Sequence, residues 1–194
     1  MTRSVAIKLA SSSPRRREIL AALGLEFSIA PVDVDETPFA DETAEDMVVR
    51  LAVAKAKAAA ALPDDVVIAA DTAVVVDGRV LGKPADRDEC LAMLEALAGR
   101  RHKVYTGVAL KSNDATRTTV SETDVYFRII SRDEALAYWQ SGEPRDKAGA
   151  YAIQGVGGAF VERIEGSYSG VVGLPIFETV KLLREVGFDL LTRR

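Results

Sequence analysis

An apolar strand runs into an amphipathic helix in the stretch Leu9-Ala10-Ser11-Ser12-Ser13-Pro14-Arg15-Arg16-Arg17-Glu18-Ile19-Leu20. The residues from Val5 to Ala10 predict the strand. Pro14 is favoured at the first helical position, because its missing N–H would have had no partner there. Ser13 then becomes the N-cap, and the free N–H groups of the first turn face the serine-rich loop. Such a helix start attracts anions, and the arginines favour phosphate. A surface helix with solvated arginines would give the same pattern, so the stretch predicts a strand–helix unit and leaves the anion site open.

Composition narrows the class of protein. The 194 residues suit one domain or two closely packed lobes that share a core, and 48% hydrophobic with 28% charged residues is typical of a globular protein. The net charge of −4 argues against nonspecific binding to nucleic acid or to a membrane surface. No apolar run of membrane-spanning length occurs, so we expect a cytoplasmic location. The single cysteine, Cys90, excludes an internal disulfide and is expected in the core.

Charge is unevenly distributed near the start of the chain. Residues 1–20 carry five Lys or Arg and one Glu, whereas residues 26–46 carry eight Asp or Glu and no Lys or Arg. A basic element beside an acidic one could hold a phosphate together with its metal ion. Two solvated faces would have the same composition, so this pattern alone does not decide between them.

Helical and strand patterns alternate along the chain and predict an α/β fold with a mixed sheet. Val66 to Ala70 is almost purely apolar, which is typical of a central strand buried on both faces, and Asp77-Gly78 after it predicts a type I′ hairpin. Residues 149–173 are rich in glycine. The glycines of residues 147–158 allow the backbone to approach a ligand closely, and an irregular connection is the alternative. The predicted strands are 5–10, 27–30, 66–76, 103–111 and 117–130, with Ser112-Asn113-Asp114 as the turn between the last two. The predicted helices are 14–23, one capped by Thr43 that runs to Leu62, one from Asp86 to about Gly99, one from Ser131 to Gly142, and one from Pro175 to Gly187.

Asp71 is the carboxylate most suggestive of chemistry. It directly follows the buried run of Val66 to Ala70, and ligands of open α/β sheets collect at the carboxyl ends of strands. An aspartate there can bind a divalent metal or take a proton from water. A turn or capping aspartate is the alternative.

Three lysines and one glutamine are further candidates for contact with a ligand. Lys55 and Lys57 are two apart on a predicted helix and point about 200° from each other, so at most one faces a given cleft. Lys83 follows the hairpin and can bind phosphate as a point charge, although an isolated lysine there is more often solvated. Gln154 lies in the glycine-rich segment, and its amide can both donate to and accept from the edge of a base.

Histidine and aromatic residues give mainly exclusions. His102 is the only histidine, which excludes a multi-histidine metal site. Its neighbours Arg101 and Lys103 predict an exposed side chain. Tyr138 and Trp139 lie on a capped helix and are expected to pack rather than to stack on a base.

Seven motifs in order resemble the Maf family of nucleoside triphosphate pyrophosphatases over nearly the whole chain. They are Leu9-Ala-Ser-x-Ser-Pro-Arg-Arg16, Arg50-Leu-Ala-x-x-Lys55-Ala, Ala70-Asp-Thr-x-Val74, Gly82-Lys-Pro84, Asp146-Lys-Ala-Gly-Ala-Tyr151, Ile153-Gln-Gly155 and Val172-Gly-Leu-Pro175. The resemblance implies one Maf-like domain over residues 1–194, similar to inosine triphosphatases. It would have a mixed, twisted central sheet with helices on both faces and two lobes around a substrate cleft. No boundary between the lobes can be assigned from the sequence.

The resemblance also implies a reaction and a set of site residues. The reaction is hydrolysis of a nucleoside triphosphate between the α- and β-phosphates to a monophosphate and pyrophosphate, with Mg²⁺ or Mn²⁺. It implies removal of non-standard nucleotides and a homodimer. The implied roles are Asp71 as general base, Glu36 with Asp71 at the metal, Ser11, Arg16, Lys55 and Lys83 at the phosphates, and Arg15, Thr72 and Gln154 in the choice of base.

Within the family, the segment Tyr151-x-Ile153-Gln154-Gly155 together with Thr72 resembles the branch that hydrolyses dTTP and UTP. A glutamine amide is complementary to the O4 and N3–H edge of uracil or thymine. One departure is Ala152, where many members have glycine. Two alternatives remain open: a pyrophosphatase for another or modified nucleotide, and a regulatory nucleotide-binding protein in the arrest of cell division.

Overall fold

The computed structural model describes residues 6–113 and 115–190, and these form six α-helices and a seven-stranded sheet. The strands are β1 (Ile7–Leu9), β2 (Phe27–Ile29), β3 (Val66–Val76), β4 (Arg79–Leu81), β5 (Arg101–Ser112), β6 (Ala115–Phe127) and β7 (Val161–Glu165). The helices are α1 (Pro14–Ala22), α2 (Ala44–Ala58), α3 (Arg87–Leu97), α4 (Arg132–Gln140), α5 (Tyr168–Val172) and α6 (Ile176–Glu185). Val5 of the first predicted strand and Asp114 of the predicted turn lie outside the described residues.

The sheet is mixed, as the alternating pattern predicts. Its strand order is β2-β1-β3-β5-β6-β7, and β4 pairs with β3. β1 is parallel to both β2 and β3, whereas β3 with β4 and β6 with β7 are antiparallel. The hairpin between β3 and β4 turns at Asp77 and Gly78, whose φ angles of 49° and 74° are the positive values that a type I′ turn requires. The predictions of a mixed α/β fold and of this hairpin are confirmed.

The described chain divides into two compact units. The first unit contains the described residues through Asp71, Thr106–Ser121, and those from Gly173 onward. The second unit contains Thr72–Tyr105 and Glu122–Val172.

In the first unit, alternate residues of β3 pack against helices on opposite faces of the sheet. One face contacts α1 and α6, and the other contacts α2, which explains why this stretch of strand is apolar throughout. The cluster on the first face includes Leu20, Val66, Ile68, Leu182 and Leu183, and that on the second includes Ala52, Ala56, Val67 and Ala69. α2 also lies close to β5 at Gly107, where an added Cβ would be 2.5 Å from the carbonyl oxygen of Val48.

The second unit has its own core between the sheet and two capped helices. Asp86 caps α3 by accepting from the N–H of Glu89, and Ser131 and Glu134 form the predicted capping box at the start of α4. The core of this unit includes Leu94, Leu97, Val125, Phe127, Tyr138 and Tyr151, together with Cys90 as predicted. Among residues 6–113 and 115–190, no helix has both the length and the apolar character needed to cross a membrane.

One prediction about an element is wrong. α2 ends at Ala58 instead of about Leu62, because tertiary contacts bind the backbone beyond it: Lys8 Nζ donates to the carbonyl of Ala60, and Asp65 accepts from the N–H of Leu62. The glycine-rich residues 149–173, for which no element was predicted, contain β7 and α5. β7 exists because it pairs with β6, a long-range contact that its own short sequence does not reveal.

Candidate functional site

The carboxyl end of β1 lies beside the middle of β3, which continues to Val76. Leu9 of β1 is in register with Ile68 of β3, so Ser11 lies level with the residues just before Asp71. Pro14 stands at the first position of α1 with Ser13 as its N-cap, as predicted, although the Ser13 side chain makes no capping hydrogen bond. Ser11 Oγ instead accepts from the N–H of Ser13 at 3.1 Å. The loop before α1 and Asp71 therefore both lie just beyond the parallel pairing of β1 with β3, although Asp71 is within its strand and not at its end.

Lys55 is the centre of an ion-pair network in which Lys55 and Asp71 are buried and Glu36 is exposed. Although it lies on α2, its side chain is only 11% exposed, and Lys57 two residues later is exposed. Its ammonium lies 2.7 Å from Asp71 Oδ1 and 2.6 Å from Glu36 Oε1. These two carboxylate oxygens can therefore be at most 5.3 Å apart, the sum of the two distances. One lysine thus holds two acidic side chains from different segments together.

Arg16 is a second cation of the same network. Its Nε donates to the carbonyl of Gly173 at 2.8 Å, and its Nη1 donates to Ser11 Oγ at 3.4 Å. Electrostatic attraction also links it to Asp71 and Glu36. Arg15 lies beside it in the chain and adds repulsion, whereas Arg17 is exposed. The predicted phosphate residues Ser11, Arg16 and Lys55 are therefore brought together with both predicted metal residues.

Burial makes both signs of charge costly at this site. Burial raises the pKa of Asp71, and the attraction of Lys55 and Arg16 offsets only part of that rise. Burial likewise lowers the pKa of Arg16, despite its attraction to Asp71. A carboxylate with a raised pKa in a polar recess is a frequent property of a proton acceptor in catalysis.

Glu36 is carried by an acidic loop that Arg50 fastens to α2. Arg50 binds Glu42 through two nitrogens, with Nη2 at 2.7 Å from Glu42 Oε2, and also donates to the carbonyl of Thr37. Its guanidinium lies 4.0 Å from the ring centroid of Phe39. In the sequence, Arg50 is the first residue of one of the seven motifs, and no role was predicted for it. The structure shows that it orders the loop on which Glu36 stands.

The other three predicted residues belong to the second unit. Thr72 directly follows Asp71 in β3 and is partly buried. Lys83 is exposed in the loop after β4, where the N–H of Gly149 donates to the carbonyl of Gly82 and joins this loop to the glycine-rich segment. Gln154 is exposed in a turn closed by the N–H of Gly155 and the carbonyl of Ala152.

The prediction that His102 is exposed is wrong. Its side chain is 1% exposed, and a ring nitrogen, Nε2, lies 2.9 Å from the hydroxyl of Tyr151. Burial lowers the pKa of His102 to about 4, so the ring is neutral at physiological pH. It packs edge-on against Phe127 with ring centroids 4.8 Å apart. His102 is a core residue that supports Tyr151, three positions before Gln154.

The donor set of the network fits a hard divalent cation. Glu36 and Asp71 supply carboxylate oxygens, which Mg²⁺ and Mn²⁺ prefer. Mg²⁺ is commonly held by one or two carboxylates together with substrate phosphates, not by a complete cage of protein ligands. Within the described residues there is no group of three or more His, Cys, Asp or Glu that could hold a metal. The pair of carboxylates therefore fits a cation that arrives with a phosphate.

Comparisons with known proteins cover nearly the whole chain. The model of a family described as "Maf-like protein" matches residues 6–186. A protein of Methylobacillus flagellatus named dTTP/UTP pyrophosphatase is 55% identical over 184 residues, which are 93% of this chain and 92% of the relative. A protein of Vibrio parahaemolyticus with the same name is 52% identical over 187 residues, 95% of this chain and 99% of the relative. Among solved structures, a nucleoside-triphosphatase / dITP/XTP pyrophosphatase of Mycobacterium abscessus is 15% identical, with a TM-score of 0.45 over 93% of this chain and 95% of that one.

Proposed function

The chain belongs to the Maf-like protein family, and from that premise we propose that it is a nucleoside triphosphate pyrophosphatase that prefers dTTP and UTP. Its relatives at 52–55% identity carry the name dTTP/UTP pyrophosphatase. The proposed reaction joins the oxygen of water to the α-phosphorus. The bond from that phosphorus to the bridging oxygen breaks, and a nucleoside monophosphate and pyrophosphate leave. Removal of non-standard nucleotides by the same reaction is part of the proposal.

One observation carries this proposal: buried Lys55 pairs with buried Asp71 and with Glu36 of the exposed acidic loop, beside Arg16. A triphosphate carries about four negative charges that repel a water nucleophile, so cations must offset them before reaction. Lys55, Arg16 and the hydroxyl of Ser11 are the groups that would do so here, and Lys83 would add a further point charge. Buried charges cost stability, so a cluster of this kind is not expected where the interior serves only to stabilise the fold.

Asp71 is the proposed proton acceptor. It would take a proton from the attacking water through its carboxylate, and its raised pKa makes it a stronger base than an ordinary aspartate. The attraction of Lys55 and Arg16 opposes the rise in its pKa that burial causes. The same two cations are the proposed contacts of the phosphate oxygens.

Glu36 and Asp71 are the proposed ligands of Mg²⁺ or Mn²⁺. A divalent cation supplies charge neutralisation and polarises phosphoryl oxygens when it is bound. The contribution of this chain is to hold two carboxylates close together through Lys55, and to hold the acidic loop through Arg50.

Gln154, Thr72 and Arg15 are the proposed residues for choice of base. The exposed amide of Gln154 stands on an ordered turn, and an amide can pair with the O4 and N3–H edge of uracil or thymine. A cytosine presents a donor in place of O4 and an acceptor in place of N3–H, so it would need the amide in the opposite orientation. Cytoplasmic location stays a prediction from the sequence, and assembly as a homodimer stays a prediction from the family resemblance.

The test is release of pyrophosphate from dTTP, UTP, CTP, GTP and 7-methyl-GTP, each with Mg²⁺ and with Mn²⁺. We expect the highest kcat/KM for dTTP and UTP, and a loss of that preference in Gln154→Ala. A higher kcat/KM for another nucleotide would assign the chain to the alternative pyrophosphatase. UTP binding without any pyrophosphate release would favour the regulatory alternative and contradict the proposal.

A further inference from the structure

The turn that carries Gln154 is held at both ends by two side chains that no motif includes. We call residues 152–157 the Gln154 loop. At its start, the hydroxyl of Tyr138 accepts from the N–H of Ala152 at 3.0 Å. At its end, the carboxylate of Glu143 accepts from the N–H of Val156 and from that of Gly157, both at 3.0 Å. The Gln154 side chain between these anchors is exposed.

Tyr138 and Glu143 are also joined to each other. The Tyr138 hydroxyl donates to Glu143 Oε1 at 2.7 Å, so one short relay runs from the start of the loop to its end. Burial raises the pKa of Tyr138, which keeps its hydroxyl protonated and able to donate. Burial acts to raise the pKa of Glu143, yet the hydrogen bonds from Gly157, Tyr138 and Val156 hold it below its ordinary value. The acceptor at the centre of the relay is therefore ionised at physiological pH.

The loop approaches these two side chains closely at its glycines. An added Cβ at Gly155 would collide with the carboxylate of Glu143, and one at Gly157 would lie 2.5 Å from the Tyr138 hydroxyl. Tyr138 is itself held by packing, since it is 3% exposed and its ring packs edge-on against Phe160 at 5.1 Å. A larger residue at either glycine would therefore displace an anchor or the loop.

We propose that Tyr138 and Glu143 are positioning residues for base recognition, which fix the backbone of the Gln154 loop so that the Gln154 amide meets the uracil or thymine edge in one orientation. This inference rests on the proposed role of Gln154. An amide discriminates between two bases only if its oxygen and nitrogen stay in place, because rotation of the loop would let it pair with either edge. Ala152 takes part through its backbone, whose N–H and carbonyl are both bonded.

The perturbing variants are Glu143→Gln and Tyr138→Phe. The first keeps the size of the side chain but sets an NH₂ group against a backbone N–H or the tyrosine hydroxyl. The second removes only the hydroxyl and leaves the ring packed on Phe160. Matched controls are Glu95→Gln, an exposed glutamate of α3, and Tyr126→Phe, whose hydroxyl contacts Glu165 at 3.3 Å on the outside of the sheet.

The measured quantity is the ratio of kcat/KM for UTP to that for CTP. We expect both variants to lower it by about tenfold, the change that follows from one lost hydrogen bond to a charged group. The kcat/KM for CTP should stay within about twofold of the wild type, and the controls should keep the wild-type ratio. On a Gln154→Ala background neither variant should change the ratio further, because the residue through which they act is gone.

The other outcomes are distinct. If Glu143→Gln and Tyr138→Phe both keep the wild-type ratio while Gln154→Ala lowers it, the positioning role is overturned and the proposed function stays intact. Equal losses for UTP and CTP, accompanied by a lower Tm, overturn it as well, because they reveal a structural role only. A wild type without preference for UTP, or an unchanged ratio in Gln154→Ala, means that the proposed base recognition has failed and the inference with it.

Discussion

Replacing Asp71 with asparagine is the most direct test of the proposed chemistry. The amide has nearly the same volume as the carboxylate, and its oxygen can still accept from Lys55 Nζ, which lies 2.7 Å from Oδ1 in the native protein. What it cannot do is take a proton from water. A positioned general base contributes about 10²–10⁴-fold, so kcat should fall by that factor, which corresponds to about 3–5 kcal/mol of transition-state stabilisation. KM should change far less than kcat, because Lys55, Arg16 and Ser11 stay in place and the asparagine oxygen can still contact the metal.

The same substitution should not destabilise the fold. Burial raises the pKa of Asp71, so the folded chain binds the Asp71 proton more tightly than the unfolded chain does. For such a group, the stabilising contribution is complete below the unfolded pKa of about 4 and is lost as the pH rises through the folded pKa. At neutral pH the ionised carboxylate therefore costs stability, and asparagine removes that cost. We expect a Tm equal to or above that of the wild type.

Steady-state release of pyrophosphate from UTP at saturating metal measures kcat and KM, and thermal unfolding measures Tm. Asp64→Asn is the matched control, since Asp64 is exposed in the same unit and precedes the same strand. A kcat for Asp71→Asn within tenfold of the wild type would refute the reasoning. A large loss of kcat together with a lowered Tm would refute it too, because the loss would then follow from damage to the fold.

Four further predictions concern affinity, pH, stability and metal. Arg16→Ala should raise KM for all triphosphates alike, whereas Arg15→Ala should change their ranking, and the substrate panel separates the two. The acid limb of kcat/KM should have its midpoint above the ordinary aspartate value of about 4, because burial raises the pKa of Asp71, and a pH profile with its midpoint at or below that value contradicts this. Gly107→Ala should cost at least about 1–3 kcal/mol, since its Cβ would lie 2.5 Å from the carbonyl oxygen of Val48, and an unchanged Tm would disprove that close approach. Removal of divalent cations with a chelator should abolish turnover and weaken UTP binding more than UMP binding, as calorimetry can determine; equal weakening would contradict a cation held by the phosphates.

The helix caps and one hairpin turn could be predicted from the sequence, because each is formed by residues that are close together in the chain. The caps of α2, α3 and α4 at Thr43, Asp86 and Ser131 are made within four residues, so a short pattern suffices to find them. The hairpin at Asp77-Gly78 is equally local. The apolar run of β3 indicated burial on both faces, and helices of the first unit do cover both faces of this strand.

His102 was wrongly predicted to be exposed because the predicted strand began two residues too far along the chain. The predicted strand began at Lys103, and the flanking charges then suggested an exposed histidine. β5 begins at Arg101, and along it His102, Val104 and Thr106 are buried in alternation. Period-two alternation places all three on the inner face. The signal was present, but it required the longer strand to be recognised.

Contacts between distant segments were beyond the reach of the sequence pattern. The burial of Lys55 depends on where Asp71 of β3 lies relative to α2, and the spacing of Lys55 and Lys57 could show only that at most one faces a cleft. The relay from Glu143 to Gly157 joins residues fourteen apart across an irregular segment. No periodicity encodes such a contact, because its geometry is set by the packing of Tyr138 beneath it.

The charges of the first unit explain why a cation should accompany the substrate. Arg16 and Lys55 carry two positive charges, and Glu36 and Asp71 carry two negative ones, so the network is neutral before any ligand arrives. A triphosphate would add about four negative charges to it. A site without Glu36 or Asp71 would be more basic and would repel the substrate less, but it would lack the proposed base or a proposed metal ligand. A divalent cation relieves this conflict, because it attracts the carboxylates and the phosphates at once. The acidic pair is then part of substrate binding, and the order that Arg50 gives to the acidic loop contributes to affinity as well as to catalysis.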